Sequence, residues 1–387
     1  MNIAFAILMI SGIIFGWHDP ENLIKALEQG ATSAVNLSLG LIASMSLFLG
    51  FLKIGEKAGL LEIVARHLSP YLQRLFPDVP ANHPAMGAIT FNVSANFLGL
   101  GNAATPFGIK AMHELSSLNH LKNTASNPMV MFLVLNTANV TLLPSSVMAL
   151  RLAAGSHDPA GVILTTFLAT LIATGFAIFC VSLFSGRSPV ILSPISWFKP
   201  LIFTSIILIL LYFYGREFGP WLMPTLILLL LSFGLWKKIP IYAAFVEGAK
   251  EGIKIGLKIL PYLIAILAVL SLWRASGIMN AVLTPIGQWT TPWGLPPEAL
   301  SLAVLRSLSG SGSFGLLASL LKEVGPDTYT GYLLCTIQAS SETTFYVLAI
   351  YCGSVGVTNF RHALLCGVLA DIIGLIASVG VCLWLVG

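Results

Sequence analysis

Long apolar segments, each near the length that crosses a bilayer, follow one another along most of this sequence. A transmembrane helix needs about 20 predominantly apolar residues. Uninterrupted candidates lie at 2–17, 31–53, 160–184, 199–214, 220–236, 253–273 and 362–386. Only 9% of the 387 residues are charged, against about 25% in soluble proteins. So few charged residues leave too little polar surface for a water-soluble fold. We therefore predict an all-α polytopic membrane protein.

Four further apolar windows carry polar residues and do not resemble uniform spans. The windows at 126–151 and 329–354 are interrupted by polar clusters, which is typical of broken transmembrane helices. Those at 83–112 and 297–321 are crowded with Gly, Ser and Asn. Each of this second pair is long enough for a re-entrant helical hairpin, which enters and leaves the membrane by the same face.

The two halves of the sequence are related to each other. Residues 59–76 form an amphipathic pattern that predicts a helix lying in the membrane interface, and 277–289 occupy the matching place later in the chain. Gly30 aligns with Gly248 at a shift of 218, and residues 135–141 align with 337–343 at a shift of 202. We therefore predict a first repeat at 1–187, a linker with an extra transmembrane helix at 188–218, and a second repeat at 219–387.

The number of spans sets the orientation of the repeats. If each half has four spans and one hairpin that does not cross, and 199–214 crosses between them, the repeats are inverted and the chain has about nine spans. Fourteen of the 20 Lys and Arg residues then lie on one side, which the positive-inside rule makes cytoplasmic. This predicts a cytoplasmic N-terminus in a bacterial inner membrane. If both hairpins crossed fully, the repeats would instead be parallel.

Polar residues are concentrated at corresponding places in the two halves. The first hairpin contains a cluster of Asn, Thr and Ser between Thr90 and Pro106, and the second contains Arg306 followed by a Ser/Gly run to Gly315. The broken helices carry polar clusters at 136–141 and 338–344. Because unpaired polar groups are costly in hydrocarbon, such clusters survive only where protein buries them or where they line an aqueous cavity.

Glu342 is an ionisable residue in the middle of an apolar window, which makes it a functional candidate by default. It can bind a coupling cation, transfer a proton, or pair with Arg306, and that pair can serve either function or the fold alone. Asp371 in the last span is a weaker candidate, for which helix packing and function are equally good interpretations.

Several functional classes find no support in the sequence. None of the common catalytic, phosphate-binding or dinucleotide-binding motifs is present outside the membrane-embedded segments. The five cysteines form no CxxC pair, and no basic stripe with aromatic residues indicates nucleic-acid binding. We expect no enzymatic activity, no cofactor and no nucleic-acid partner.

Three segments carry a family resemblance. Residues 92–112 (NVSANFLGLGNAATPFGIKAM) resemble spore maturation protein A, and 306–315 (RSLSGSGSFG) with 340–364 resemble spore maturation protein B. These families belong to the nucleoside-recognition (Gate) family, which is similar to concentrative nucleoside transporters and to the membrane domain of ferrous-iron transporters. The resemblance implies a substrate site between the hairpin tips and the broken helices. By position, the site residues that it implies are Asn92, Ser94, Asn96, Asn102, Asn136, Thr141, Ser309, Ser311, Gln338, Ser341, Glu342 and Thr343, to which we add Arg306.

These observations predict a secondary transporter of a small polar solute, nucleoside-like or zwitterionic or anionic, with the hairpins as gates for alternating access. The chain has no ATPase motif, so a Na+ or H+ gradient or the solute's own gradient would supply the energy. The expected partners are the small-molecule substrate and the lipid bilayer, and a homo-oligomer is left open. The alternative is an envelope factor that handles lipid-linked or cell-wall intermediates or scaffolds such enzymes. Iron transport has only Cys335 as a soft ligand near the site.

Overall fold

The computed structural model describes residues 2–121, 123–185, 221, 223–308 and 310–387. The described residues are mostly helical and contain no β-strand. Their helices are α1 (Asn2–Phe15), α2 (Pro20–Lys57), α3 (Leu60–Leu75), α4 (Pro84–Phe97), α5 (Gly101–Ser117), α6 (Asn127–Thr137), α7 (Ser145–Ala153), α8 (Val162–Phe184), α9 (Met223–Trp236), α10 (Ile241–Ala275), α11 (Ile278–Thr290), α12 (Pro297–Leu308), α13 (Gly310–Val324), α14 (Tyr329–Ser340), α15 (Thr344–Gly353) and α16 (Ala363–Leu385). The span and linker predicted at 199–214 and 188–218 lie outside the described residues.

One order of elements occurs twice along the chain. A long helix (α2, α10) precedes a short helix (α3, α11), a helical hairpin (α4–α5, α12–α13), a broken helix (α6–α7, α14–α15) and a final long helix (α8, α16). Both short helices follow a glycine in the left-handed region, Gly59 with φ of 91° and Gly277 with φ of 75°. Glycine adopts this conformation without the steric cost that other residues carry, so the same turn is encoded at equivalent positions.

The predicted windows agree with these helices except at the N-terminal ends of the two longest. The helix α2 begins at Pro20 rather than near 31, and α10 begins at Ile241 rather than near 253. Apolarity locates the stretch that lies in lipid, but polar residues also continue a helix beyond it. The Asp19 carboxylate accepts a hydrogen bond of 3.2 Å from the Asn22 N–H and so caps the start of α2.

The apolar helices fit a multi-pass membrane protein. Among the described residues, α2, α8 and α16 are long and apolar enough to cross a bilayer, and shorter apolar helices accompany them. Large apolar side chains such as Ile14, Leu183 and Ile376 are 60% or more exposed. Exposure of this kind on helices that are apolar all round is expected where the surrounding solvent is lipid.

The long helices α2 and α10 pack antiparallel through glycines. A methyl group added at Gly30 would lie 2.6 Å from the Leu267 carbonyl oxygen, and one at Gly50 would lie 2.6 Å from the Phe245 ring. One added at Gly248 would overlap the Leu49 carbonyl oxygen. At the repeat shift of 218, Gly30 corresponds to Gly248 and Leu49 to Leu267. The same glycine–carbonyl contact therefore occurs twice along this pair of helices.

We expect Gly30→Ala to lower the thermal stability of the purified protein. Its new methyl group would meet the backbone of Leu267 and Ala268, and overpacking of this kind costs about 1–3 kcal/mol. The matched control is Gly175→Ala in α8, where an added methyl group meets nothing within 4 Å. That variant should unfold at the same or a higher temperature, since alanine favours a helix over glycine. Equal melting temperatures for the two variants would contradict close packing between α2 and α10.

Candidate functional site

A cavity of about 780 Å³ lies where the first hairpin turn, the facing ends of α12 and α13, and the two helix breaks meet. Its wall contains the first turn around Gly99, the first break at 138–144, and the second break at 341–343. The start of α13 also contributes to the wall, and α2 and α10 supply most of the remaining side chains. The cavity thus draws on both halves of the chain.

The first hairpin turn is held against the first break. The Leu142 N–H donates to the Phe97 carbonyl at 2.8 Å, and the Ser145 hydroxyl donates to the Gly99 carbonyl at 3.0 Å. Gly99 has φ of 69°, and a side chain there would overlap the Leu143 carbonyl oxygen. Only glycine fits both the turn and the approach of the break, which explains its place in the Asn-rich motif.

The two helix breaks also contact each other. The Glu342 N–H donates a hydrogen bond of 2.7 Å to the Thr137 carbonyl, at the C-terminal end of α6. This bond satisfies one free backbone group from each break. The breaks are unequal in length: residues 138–144 separate α6 from α7, whereas only 341–343 separate α14 from α15.

The predicted site residues fall into three groups. Those that line the cavity are Asn96, Thr141, Arg306, Ser311, Gln338, Ser341 and Glu342. Those that lie behind its wall are Asn92, Ser94, Asn136 and Thr343, all of them buried. Ser309 and the side chain of Asn102 lie outside the part of the chain that the structure describes.

A hydrogen-bonded amide network backs the first hairpin. The Asn96 amide donates to Asn136 Oδ1 at 3.1 Å, and the Tyr351 hydroxyl lies 3.4 Å from the same oxygen. Asn92 donates to the Ala104 carbonyl at 2.8 Å and lies 3.4 Å from the Tyr351 hydroxyl. Asn92 and Asn136 therefore join α4, α5, α6 and α15, and Asn96 is the member of the network that reaches the cavity.

Arg306 holds the second break in place. Its Nε donates to the Gln338 carbonyl at 2.9 Å, one guanidinium nitrogen donates to Thr343 Oγ1 at 2.8 Å, and the other donates to the Ser341 carbonyl. These backbone acceptors are the carbonyls left free at the C-terminal end of α14, where a cation is favourable. Arg306 is 6% exposed, so it combines a structural role with a charge at the cavity wall.

Glu342 presents its carboxylate to the cavity. Its side chain is 49% exposed, and its Oε2 lies 3.5 Å from an Arg306 nitrogen. This contact is longer than the bonds that Arg306 makes to the backbone, so Arg306 has its hydrogen-bond partners without Glu342. The carboxylate is thus free to meet a ligand.

A cluster of charged side chains around Lys53 also lies at the cavity, although the sequence did not predict it as part of the site. Lys53 pairs with Glu56 at 2.9 Å on α2 and with Glu251 at 3.1 Å on α10. All three line the cavity together with Lys254. In the sequence these charged residues lie at the ends of the spans predicted at 31–53 and 253–273. Only the antiparallel packing of α2 and α10 shows that they lie next to each other.

Cys335, the residue on which an iron site would depend, is fully buried and is not part of the cavity wall. Among the described residues, no three His, Cys, Asp or Glu side chains are grouped so that they could hold a metal ion. The cavity wall combines amides, hydroxyls and a few charges with apolar side chains such as Met45, Phe48 and Phe314.

Comparison with known proteins places the chain in a family. The Gate family, described as nucleoside recognition, matches residues 38–198. Spore maturation protein A of Bacillus subtilis (strain 168) is 42% identical over 174 residues, which cover 44% of this chain and 89% of that protein. Spore maturation protein B of the same strain is 39% identical over 158 residues, which cover 41% of this chain and 89% of that protein. No solved structure matches the chain. With this identity over nearly the whole length of both relatives, the protein belongs to the spore maturation protein family and carries its nucleoside-recognition domain.

Proposed function

We propose that this protein is a secondary transporter of the bacterial inner membrane that moves a small polar solute by alternating access. The observation that carries the proposal is the cavity, which both hairpins and both helix breaks line. Discontinuous helices in corresponding places of two halves are typical of transporter binding sites. A volume of about 780 Å³ lies within the range of small-molecule sites, about 300–1,000 Å³.

The chemistry of the wall favours a solute with several hydrogen-bonding groups. Gln338 is 7% exposed, and its Oε1 is buried without a hydrogen-bond partner among the described residues. Such an oxygen favours a ligand that brings a donor, because an unpaired buried acceptor is costly. Arg306 and Glu342 supply one charge of each sign nearby. A nucleoside-like or zwitterionic solute matches this combination better than an apolar one.

The contacts between α2 and α10 support inverted repeats within this proposal. Equivalent helices that pack antiparallel, with the same glycine contact made in both directions, are what two halves of opposite orientation produce. With about nine spans, the excess of Lys and Arg on one side then makes the N-terminus cytoplasmic. Lys53, Glu56, Glu251 and Lys254 would lie at the cytoplasmic end of the cavity.

In this topology, an ion pair between the end of α7 and the loop before α14 joins the two halves on the far side of the membrane. Arg151 at the end of α7 is fully buried, donates to Asp327 at 2.9 Å and to the Pro326 carbonyl at 2.6 Å, and stacks on the Tyr332 ring at 4.0 Å. Burial raises the pKa of the neighbouring Asp158 carboxyl, and the Arg151 charge acts in the opposite direction. We infer that this contact closes the far side while the cavity is open toward the cytoplasm.

Ligand binding tests the proposed function. Purified protein is screened for thermal stabilisation by nucleosides, amino acids, nucleotides and lipids, and solutes that stabilise it are tested for uptake into liposomes. We expect at least one soluble class to stabilise it, and we expect Gln338→Ala to weaken the apparent affinity about tenfold, the equivalent of one hydrogen bond of about 1.4 kcal/mol.

The control for this screen is Gln73→Ala, which removes an exposed amide of α3 and should leave the affinity unchanged. Stabilisation by a lipid and by no soluble compound would contradict the proposal and favour the envelope-factor alternative.

Glu342 and Arg306 should respond differently to substitution. Glu342→Gln should impair solute uptake with little loss of thermal stability, because its backbone bond to Thr137 remains and its side chain is half exposed. Arg306→Ala should destabilise the fold by about 1–3 kcal/mol or more, since it leaves buried carbonyls of the second break without a donor. Melting temperature and uptake are measured for both variants. If Glu342→Gln unfolds like Arg306→Ala, Glu342 is a structural residue.

A further inference from the structure

A second carboxylate lies beside the second break, outside the cavity wall. Asp371 is on α16, and its Oδ2 accepts hydrogen bonds from the Thr344 hydroxyl at 2.8 Å and from the Ser307 hydroxyl at 3.3 Å. The Ser341 side chain also lies near this carboxylate. The last turn of α12, the second break and the start of α15 thus converge on one acidic side chain.

The other oxygen of this carboxylate has no partner. Oδ1 of Asp371 is buried and makes no hydrogen bond within the described residues. An ionised carboxylate can accept about four hydrogen bonds, and a buried one without a counter-charge is strongly disfavoured in a membrane. The arrangement leaves an oxygen that a positively charged group would satisfy.

The charges around the second break do not balance. Arg306 on α12 acts on Asp371, and the same guanidinium lies 3.5 Å from the Glu342 carboxylate of the second break. On the side of α6 and α8, the neighbours at this level are the uncharged Thr137 and Ala173. One guanidinium therefore faces two carboxylates, and its hydrogen bonds go mainly to the break. Among the described residues, one negative charge at this break therefore has no paired cation of its own.

Glycines keep this carboxylate close to the break. Gly367 and Gly374 lie about one turn before and after Asp371 on α16. A methyl group added at Gly367 would lie 2.9 Å from Thr344 Cγ2, and one at Gly374 would lie 3.5 Å from Ser340 Oγ. The close approach of α16 brings Asp371 to the C-terminal end of α14, where the helix dipole favours a cation.

We propose that Asp371, together with the hydroxyl groups of Ser307, Ser341 and Thr344, binds a Na+ ion. Carboxylate and hydroxyl oxygens are hard ligands that suit such a cation, and transporters place coupling ions at the unwound ends of broken helices. The ion would join α12, the second break and α16, and so fix the hairpin that carries Arg306. Its role as a coupling ion rests on the proposed function, whereas its binding does not.

The test uses the full chain in detergent without any solute. Thermal unfolding is followed while NaCl replaces choline chloride at constant ionic strength, with KCl as a parallel arm, at two pH values. We expect a saturable rise in melting temperature with Na+ and none with choline. Asp371→Asn should remove this response, and Ser307→Ala should weaken the apparent Na+ affinity about tenfold while the protein still folds.

The control is Asp19→Asn, which changes an exposed acidic residue at the start of α2, away from the proposed ion site, and should keep the full Na+ response. A Na+ response that persists in both Asp371→Asn and Ser307→Ala would overturn the proposal. The proposal would also be overturned if the melting temperature of the wild type did not depend on Na+ but changed with pH, and Asp371→Asn removed this pH dependence. The site would then hold a proton. Na+ binding without any solute transport would refute only the proposed function, and transport without a Na+ response would refute only the ion site.

Discussion

A peptide group surrounded by hydrocarbon must find its hydrogen-bond partner within the protein. At the two helix breaks, backbone N–H and carbonyl groups lack their helical partners and must be paired in another way. The Glu342 N–H is paired with the Thr137 carbonyl from the other half. Arg306 donates hydrogen bonds to the free carbonyls at the end of α14, and the first hairpin turn accepts a hydrogen bond from the first break. The cavity exists because these contacts allow backbone without helical bonds to persist inside a helical bundle.

The two halves share their order of elements but not their chemistry. Around the first break the polar groups are uncharged, with amides such as Asn96 and Asn136 bonded to each other. Around the second break they include Arg306, Glu342 and Asp371. The two breaks therefore present different groups to the cavity, although both line it.

Element order could be predicted from the sequence because hydropathy and glycine positions are local signals. The hairpin windows and both broken helices lie within a few residues of their predicted bounds. Which polar residues face the cavity could not be predicted, because a cluster inside an apolar window does not reveal its orientation. Asn136 is bonded behind the wall, whereas Lys53 reaches the cavity through a register between α2 and α10 that no local pattern contains. For Arg306 the main partners are backbone carbonyls, which leave no mark in a sequence.

The mutual bond between the breaks makes each half depend on the other. A half by itself would leave the carbonyl of Thr137 or the N–H of Glu342 unpaired in the membrane, together with half of a cavity wall. The two relatives each match less than half of this chain. Joining both halves in one polypeptide fixes their ratio at one to one and turns a bimolecular encounter into an intramolecular one.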